Sequence, residues 1–381
     1  MQGNRVEEDN VPVTIAALKE RAPGEGRVAL VPEVVSKLTK DGFAVLIEAG
    51  AGEAASHADA AYTQAGAKIA PLADILKSAN VIACVNRPGA EVLGKLRKDQ
   101  ILLGLLDALG DRGPLEKIAA GGGAPMSLDL LPRQLSRAQT MDALSSQASV
   151  AGYRAVIVGA ETFGRYFPMM VTAAGTAKPA SVLVLGAGVA GLQAIGTARR
   201  LGAQVSGYDV RPAAREEVKS MGAQFLSTSV DSAAGEGGYA RALTKEESAQ
   251  QQKDLGEQIK KFDVVITTAK VPGRQAPVLV TKEVVEAMAP GSVLVDLAAS
   301  ATGGNVAGSQ PGKTVMTKNG AKIVGGDTLA AGMPAGASAA YSRNIAAVVT
   351  SITKDGAIVL DPEDEVVAAI LIRPATKGGA K

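Results

Sequence analysis

The chain has 381 residues, enough for two domains of ordinary size, each able to bury its own core. Forty basic residues stand against thirty-eight acidic ones, no basic stripe stands out and tryptophan is absent, so nucleic acid is a poor partner. The single cysteine, Cys84, excludes an internal disulfide and a thiolate metal cluster and fits a reducing cytosol; no metal site is expected.

In chain order, the opening MQGNRVEEDNVP is polar and acidic and does not read as a secretory signal. Greasy runs then alternate with helix-like ones. PVTIAAL from Pro12, FAVLIEAG from Phe43, NVIACVN from Asn80 and QILLGLL from Gln100 read as strands. Segments such as PEVVSKLTKDG and DAAYTQAGA lie between them. After residue 180 the pattern repeats in SVLVLGAG, QVSGYDV, FDVVITTA, SVLVDLA and AKIVGGD. Strands without polar alternation belong in parallel sheets covered on both faces. The expected fold is therefore α/β, with two doubly wound domains in tandem and a cleft between them, the second a Rossmann domain. Residues 1–139 and 328–381 are assigned to the first, flavodoxin-like domain and 140–327 to the second. No run of about 18 uninterrupted apolar residues occurs; Val182 to Ala198 comes nearest, broken by Gln193 and by glycines.

Two connecting segments stand apart. From Thr140 to Phe163 the chain reads as a long helix of small residues, expected to bridge the domains and line the cleft. Thr140 is a candidate cap, with Asp142 favourable in the first turn. Ser227 to Phe262 is too long and polar for an ordinary strand connection. It opens as a glycine-rich loop and continues as a Gln/Lys/Glu-rich helix.

LGAGVAGLQA, from Leu185, carries the chemistry. Gly186, Gly188 and Gly191 read G-x-G-x-x-G, with Ala187 and Val189 between them. The motif alone is weak evidence, but here it follows a strand, opens a helix and precedes a second strand ending in Asp209, 18 residues after Gly191. Gly186 suits the tight turn, Gly188 the approach of a pyrophosphate and Gly191 close helix–strand packing, while the helix N-terminus attracts phosphate. Asp209 suits ribose hydroxyls and repels a 2′-phosphate, which favours NAD(H); Val210 follows it, and Arg211 is a cation able to receive that phosphate instead. A tight turn with no ligand is the plain alternative.

Oxidising an alcohol or amine needs a proton acceptor, usually His or Lys. The only histidine, His57, reads as a surface residue at a helix start. Hydride exchange between two nicotinamides needs no such acceptor; it needs two rings held in the right orientation.

KERAPGEGRVALVPEVVSKL, SRAQTMDALSSQASVAGYRAV, PASVLVLGAGVAGLQAI and PGRQAPVLVT together resemble the NAD(H)-binding alpha subunit (domain I) of proton-translocating nicotinamide nucleotide transhydrogenase. The resemblance covers nearly the whole chain, and the central signature is far more specific than the glycine motif. It implies a homodimer whose second domain binds NAD(H), an NADP(H)-binding partner subunit and a membrane-spanning partner on a separate chain. The protein itself would be cytoplasmic, held at the inner face of the cell membrane through those partners. By position, Gln139, Asp142 and Ser145 match the loop at the nicotinamide end, and Arg133 that loop's arginine. Gly238 and Tyr239 match the mobile lid, and Asp209 the ribose-binding acid. Thr268, Ala269 and Lys270, in TTAKVPG, match the strand end near the nicotinamide, where Lys270 replaces a usually apolar residue. One extra residue before Ser136 and another near Thr302 also depart from the pattern.

Alanine dehydrogenase is the main rival, with Arg27 at its substrate-carboxylate position. Cys84 and Asn86 occupy the candidate places of its lysine, and Asp107 that of its histidine. A non-catalytic NAD-binding regulatory relative is the second alternative.

Overall fold

The computed structural model describes residues 12–132, 134–228, 244–270, 273 and 275–375. The chain divides into two compact units, residues 1–147 with 331–381, and the continuous stretch 148–330.

The first unit is built on a six-stranded parallel sheet. Its strands are β1 (Thr14–Ala17), β2 (Ala44–Glu48), β3 (Lys68–Ala70), β4 (Val81–Asn86), β5 (Ile101–Leu105) and β6 (Ala124–Ser127), in the order β3-β2-β1-β4-β5-β6. Helices α1 (Pro32–Lys40), α2 (Asp59–Gln64), α3 (Leu72–Ser78), α4 (Ala90–Leu93) and α5 (Gly113–Ala120) connect them. The central strands are buried along nearly their whole length, as unbroken apolar runs require. β3 and β6 are not legible in the sequence. One is three residues long, and the other carries Pro125, which an edge strand tolerates; on its outer side the Pro125 carbonyl accepts the Ile372 N–H at 2.8 Å.

α6 (Ala143–Phe163) follows a 3₁₀ turn over Ser136–Met141, and the division between the units falls within it. The sequence pattern puts the start of this helix at Thr140. The structure starts it three residues later, and the cap is Asp142, whose Oδ1 accepts the Ser145 N–H at 2.8 Å.

The second unit begins with a hairpin, β7 (Met170–Thr172) and β8 (Gly175–Ala177). Its seven-stranded sheet comprises β9 (Ser181–Leu185), β10 (Gln204–Tyr208), β11 (Gln224–Phe225), β12 (Val264–Thr267), β13 (Val293–Asp296), β14 (Thr314–Met316) and β15 (Lys322–Gly325). The order is β11-β10-β9-β12-β13-β15-β14, with only β14 antiparallel. Helices α7 (Val189–Arg200), α8 (Ala214–Ser220), α9 (Lys245–Ile259) and α10 (Lys282–Glu286) complete it. α9 is the Gln/Lys/Glu-rich helix expected within the long insertion, and it buries Leu255 and Ile259.

The chain then returns to the first unit as α11 (Pro334–Ser351), the hairpin β16 (Thr353–Lys354) and β17 (Ala357–Ile358), and α12 (Glu365–Ile370). Ser338 and Ser342, one helical turn apart on α11, accept the N–H groups of Val28 and Val31 at 2.9 and 3.0 Å. Tyr341, fully buried beside them, donates its hydroxyl to the Cys84 carbonyl at 2.8 Å. This late helix thereby satisfies backbone groups on which no strand of the sheet pairs. Both sheets are doubly wound and parallel in the main, which is the expected fold class. No helix among the described residues is long and apolar enough to cross a membrane.

Candidate functional site

The strand order of the second unit reverses between β9 and β12, and in open α/β sheets ligands bind outside the strand ends at that point. Every expected cofactor-binding residue that is described lies in the turns just beyond β9, β10 and β12 or in the first turn of α7.

After β9 the chain turns at Gly186, whose φ of +98° suits glycine alone at low cost. A Cβ on Gly191 would run into the Gly186 carbonyl oxygen, so helix and turn touch there backbone to backbone. A Cβ on Gly188 would meet nothing within 4 Å. The turn is thus packed on its inner side and open at its middle glycine, where the first N–H groups of α7 lack partners within the helix. Val189 and Val210 leave apolar side chains exposed on either side of it.

Asp209 closes the neighbouring edge. Its Oδ2 accepts the Ala187 N–H at 2.7 Å and its Oδ1 the Arg211 N–H at 2.8 Å. The Arg211 guanidinium lies along both oxygens, at 3.1 and 3.3 Å, and reaches Glu217 at 3.4 Å. Arg211 is therefore engaged by two carboxylates. Next to Asp209 opens a cavity of about 140 Å³, bounded by Tyr208, Arg215, Phe225, Leu226 and Gln251. The Arg215 guanidinium sits 4.7 Å from the centre of the Phe225 ring, and Tyr208 stacks on the same ring. Flat walls of this kind suit a purine. Sequence reasoning misses Arg215 and Phe225 because β11, which presents the ring, is two residues long and carries no periodicity.

Beyond β12, the Thr268 hydroxyl donates to the Gly186 carbonyl at 3.0 Å, tying this strand end to the glycine turn. Ala269 is gripped twice by Asn305, which accepts its N–H and donates to its C=O, both at 3.0 Å. Lys270 is exposed and gives its backbone N–H to the Thr268 carbonyl. Asp296, fully buried at the end of β13, accepts the Thr267 hydroxyl, the Ala298 N–H and the Val306 N–H. Asn305 and Asp296 also escape sequence reasoning; the lone acid ending the apolar run SVLVD is their one available signal.

In the first unit, Gln139 is exposed within the 3₁₀ turn, and its carbonyl accepts the Asp142 N–H at 3.3 Å. The Ser145 hydroxyl donates to Asp142 Oδ2 at 2.5 Å. The structure thus joins Asp142 and Ser145 side chain to side chain. Arg133, Gly238 and Tyr239 lie outside the described residues.

A separate buried network surrounds Arg27. Its guanidinium forks onto Glu25 at 2.8 and 2.6 Å and donates to Gln147 at 2.9 Å. Burial works to raise the Glu25 carboxyl, but the hydrogen bonds and charge of Arg27 outweigh it and hold that carboxyl below its ordinary range. Asn86 donates to Glu25 at 2.8 Å and to Glu20 at 3.3 Å. Burial pushes the Glu20 carboxyl above its ordinary range, and Glu25 adds to the push. Cys84 is buried with its thiol pushed up, and Asp107 stands exposed in a left-handed turn at φ +57°. Positions 84, 86 and 107 therefore supply no basic side chain. His57 is half-buried against the edge of Tyr62, and burial lowers its pKa. No group of His, Cys, Asp or Glu among the described residues is arranged to hold a metal.

Two family models cover the chain: the alanine dehydrogenase/PNT N-terminal domain over residues 16–151 and the C-terminal domain over 155–378. A chain of Rhodospirillum rubrum named as the first portion of NAD(P) transhydrogenase subunit alpha is 45% identical, over 96% of this chain and 97% of its own. Alanine dehydrogenase of Mycobacterium tuberculosis is 33% identical over 77% and 74%. Among solved structures, a transhydrogenase from Sinorhizobium meliloti superposes with a TM-score of 0.84 at 42% identity, covering 95% of this chain and 98% of that one. An L-alanine dehydrogenase superposes at 0.76 with 27% identity, covering 94% of each.

Proposed function

The chain belongs to the alanine dehydrogenase/PNT family, among its NAD(P) transhydrogenase alpha subunits, and from that premise we propose that it holds NAD(H) on its second unit for direct hydride exchange with NADP(H) held by a partner subunit. The enzyme is the proton-translocating, Re/Si-specific type, working as a homodimer. A membrane-spanning subunit on another chain couples the exchange to proton movement and keeps this one at the inner face of the cell membrane.

The observation that carries this reading is the open phosphate turn with Asp209 beside it. The residues fit a dinucleotide: a Cβ at Gly188 would stand in free space, so a pyrophosphate has room to approach the backbone. The adenosine ribose is held by Asp209, once Arg211 swings onto Glu217, 3.4 Å away. The purine lies in the cavity beside Phe225 and Arg215. The bound nicotinamide supplies hydride chemistry that consumes and releases no proton: NADH and NADP⁺ become NAD⁺ and NADPH. The chain's own part is orientation, which needs no His or Lys base at the site. Gln139 orients the nicotinamide end, carrying both a donor and an acceptor, and Asp142 and Ser145 fix the backbone that presents it. By the same resemblance, Arg133 adds a cation to that loop, and Gly238 and Tyr239 contribute to cofactor binding.

Mixing the protein with an NADP(H)-binding transhydrogenase domain and an NAD analogue tests the reading directly. Rapid hydride exchange is expected. No exchange, together with steady reduction of NAD by L-alanine, would move the chain to the amino-acid dehydrogenase branch.

A further inference from the structure

Asn305 is fully buried, yet it lies far in sequence from every residue of the glycine motif. Both polar atoms of its carboxamide are engaged. Oδ1 accepts the Ala269 N–H at 3.0 Å, while Nδ2 donates to the Ala269 carbonyl at 3.0 Å and to the Pro277 carbonyl at 2.8 Å. Its main-chain carbonyl accepts the N–H groups of Leu279 and Val280 at 2.8 and 2.9 Å. One residue thereby fixes both the start and the end of the segment that follows β12.

The placement of Asn305 is itself enforced. The next residue, Val306, gives its N–H to Asp296 Oδ2 at 3.1 Å. The preceding residue, Gly304, lies against that same oxygen so closely that a Cβ would overlap it. A chain of contacts therefore runs from Asp296, ending β13, through Asn305 to Ala269. It continues through Thr268 to the carbonyl of Gly186, just beyond β9.

The sheet order says which half of a dinucleotide this chain of contacts would serve. Asp209, the ribose-binding acid of the proposed function, lies at the end of β10, on one side of β9. β12 lies on the other side. A ligand crossing the β9 turn with its adenosine at β10 must bring its other half to the end of β12. We propose that Asn305 is the positioning residue for the nicotinamide half of the cofactor: it holds Thr268, Ala269 and Lys270 in register with the phosphate turn and leaves the adenosine half to Asp209.

The inference rests on NAD(H) binding at this turn, and the experiment separates the two. ADP-ribose carries the adenosine, the pyrophosphate and a second ribose but no nicotinamide. NADH and ADP-ribose affinities are measured by calorimetry for wild type, Asn305→Asp and Asn305→Ser. Aspartate keeps the shape but sets an anion against two carbonyls; serine shortens the reach and removes the two-point grip. The expected result is a loss of roughly tenfold or more in NADH affinity with ADP-ribose changed less than about threefold, because a lost orienting contact acts only on the group it orients. Equal weakening of both ligands, or neither, in a folded variant would make Asn305 merely structural and overturn the proposal. A wild type that binds neither ligand would overturn the NAD(H) reading itself.

Discussion

The two units share a strand order around their first strand and use it differently. In each, the sheet reverses direction beside that strand, between β1 and β4 in one and between β9 and β12 in the other. β9 ends at Leu185 and α7 begins at Val189, so the chain enters its helix at once and leaves N–H groups facing the reversal point. β1 ends at Ala17, but α1 begins only at Pro32. The intervening KERAPGEGR lines the equivalent place, a cavity of about 260 Å³, with Lys19, Glu20 and Arg21, and Asn86 links Glu20 to the buried Arg27–Glu25 fork. Topology therefore provides a place for a ligand twice, and the length and composition of the first connection decide whether a phosphate is welcome there.

The comparison breaks most sharply at Gly191. In Gly191→Ala the added methyl meets the Gly186 carbonyl and opens the turn. NADH affinity should fall by more than about 100-fold, roughly 3 kcal/mol, the upper end for overpacking a tight contact. Calorimetry reads it, and retained affinity would show that the packed turn is not what separates the units.

Gln139→Asn acts from the first unit instead. Withdrawing the amide by one carbon should slow hydride exchange in the mixed complex about 100-fold while NADH affinity stays nearly constant. Stopped-flow rates at the wild-type level would reduce Gln139 to part of a helix start.

A smaller effect concerns how the first unit holds its last helix. Asp364 caps α12 by accepting the Val366 and Val367 N–H groups, and it pairs with Arg137 at 2.8 and 2.9 Å. Chiefly because of Arg137, its carboxyl is held down at about 2, from an ordinary 3.8. A lowered folded pKa means that this stabilisation is present above pH 3.8 and is lost as pH falls toward 2. Asp364→Ala should cost about 1 kcal/mol at neutral pH, as for loss of a cap, and urea melts should show the gap closing through that acid window. A gap that ignores pH would remove the ion pair from the explanation.

The smallest effect sharpens the contrast in charge. Glu20 holds its proton more tightly in the folded protein than in the unfolded chain, since burial raises its pKa from the ordinary 4.5. Its ionised form therefore opposes folding as pH rises above 4.5. Glu20→Gln should melt slightly higher than wild type at about pH 7.5, with the advantage fading as the solution is acidified below the ordinary carboxyl range. A lower melting temperature at neutral pH would mean that the Glu20 contacts with Val85 and Asn86 outweigh its desolvation.

The second unit's first turn is legible in sequence because everything it needs is local: strand, glycines, helix and acid follow within a few dozen residues. The long unbroken strands are legible for the same reason. β3, β11 and β14 are not, being short edge pieces whose pairing depends on a neighbour already in place. The cap of α6 lies at Asp142 rather than Thr140 because the preceding residues tighten into a 3₁₀ turn, a choice that propensity does not register. Asp296 and Asn305 satisfy groups distant in sequence, so their roles exist only once β12 and β13 lie side by side. At Arg211 the sequence shows the residue but not its partners, Asp209 and Glu217.

The return of the chain through α11 has a consequence in time. Residues 148–330 are one continuous piece that holds every strand of its own sheet, whereas the first unit needs Ser338, Tyr341 and Ser342, which are made only after that piece is complete. Until those residues appear, Val28 and Val31 lack their acceptors and the face that Tyr341 will cover is bare. The unit that begins the chain is thus the one that must wait, and the middle of the protein is free to mature ahead of its beginning. A chain released at residue 330 would hold a complete second unit and a first one that lacks α11 and α12.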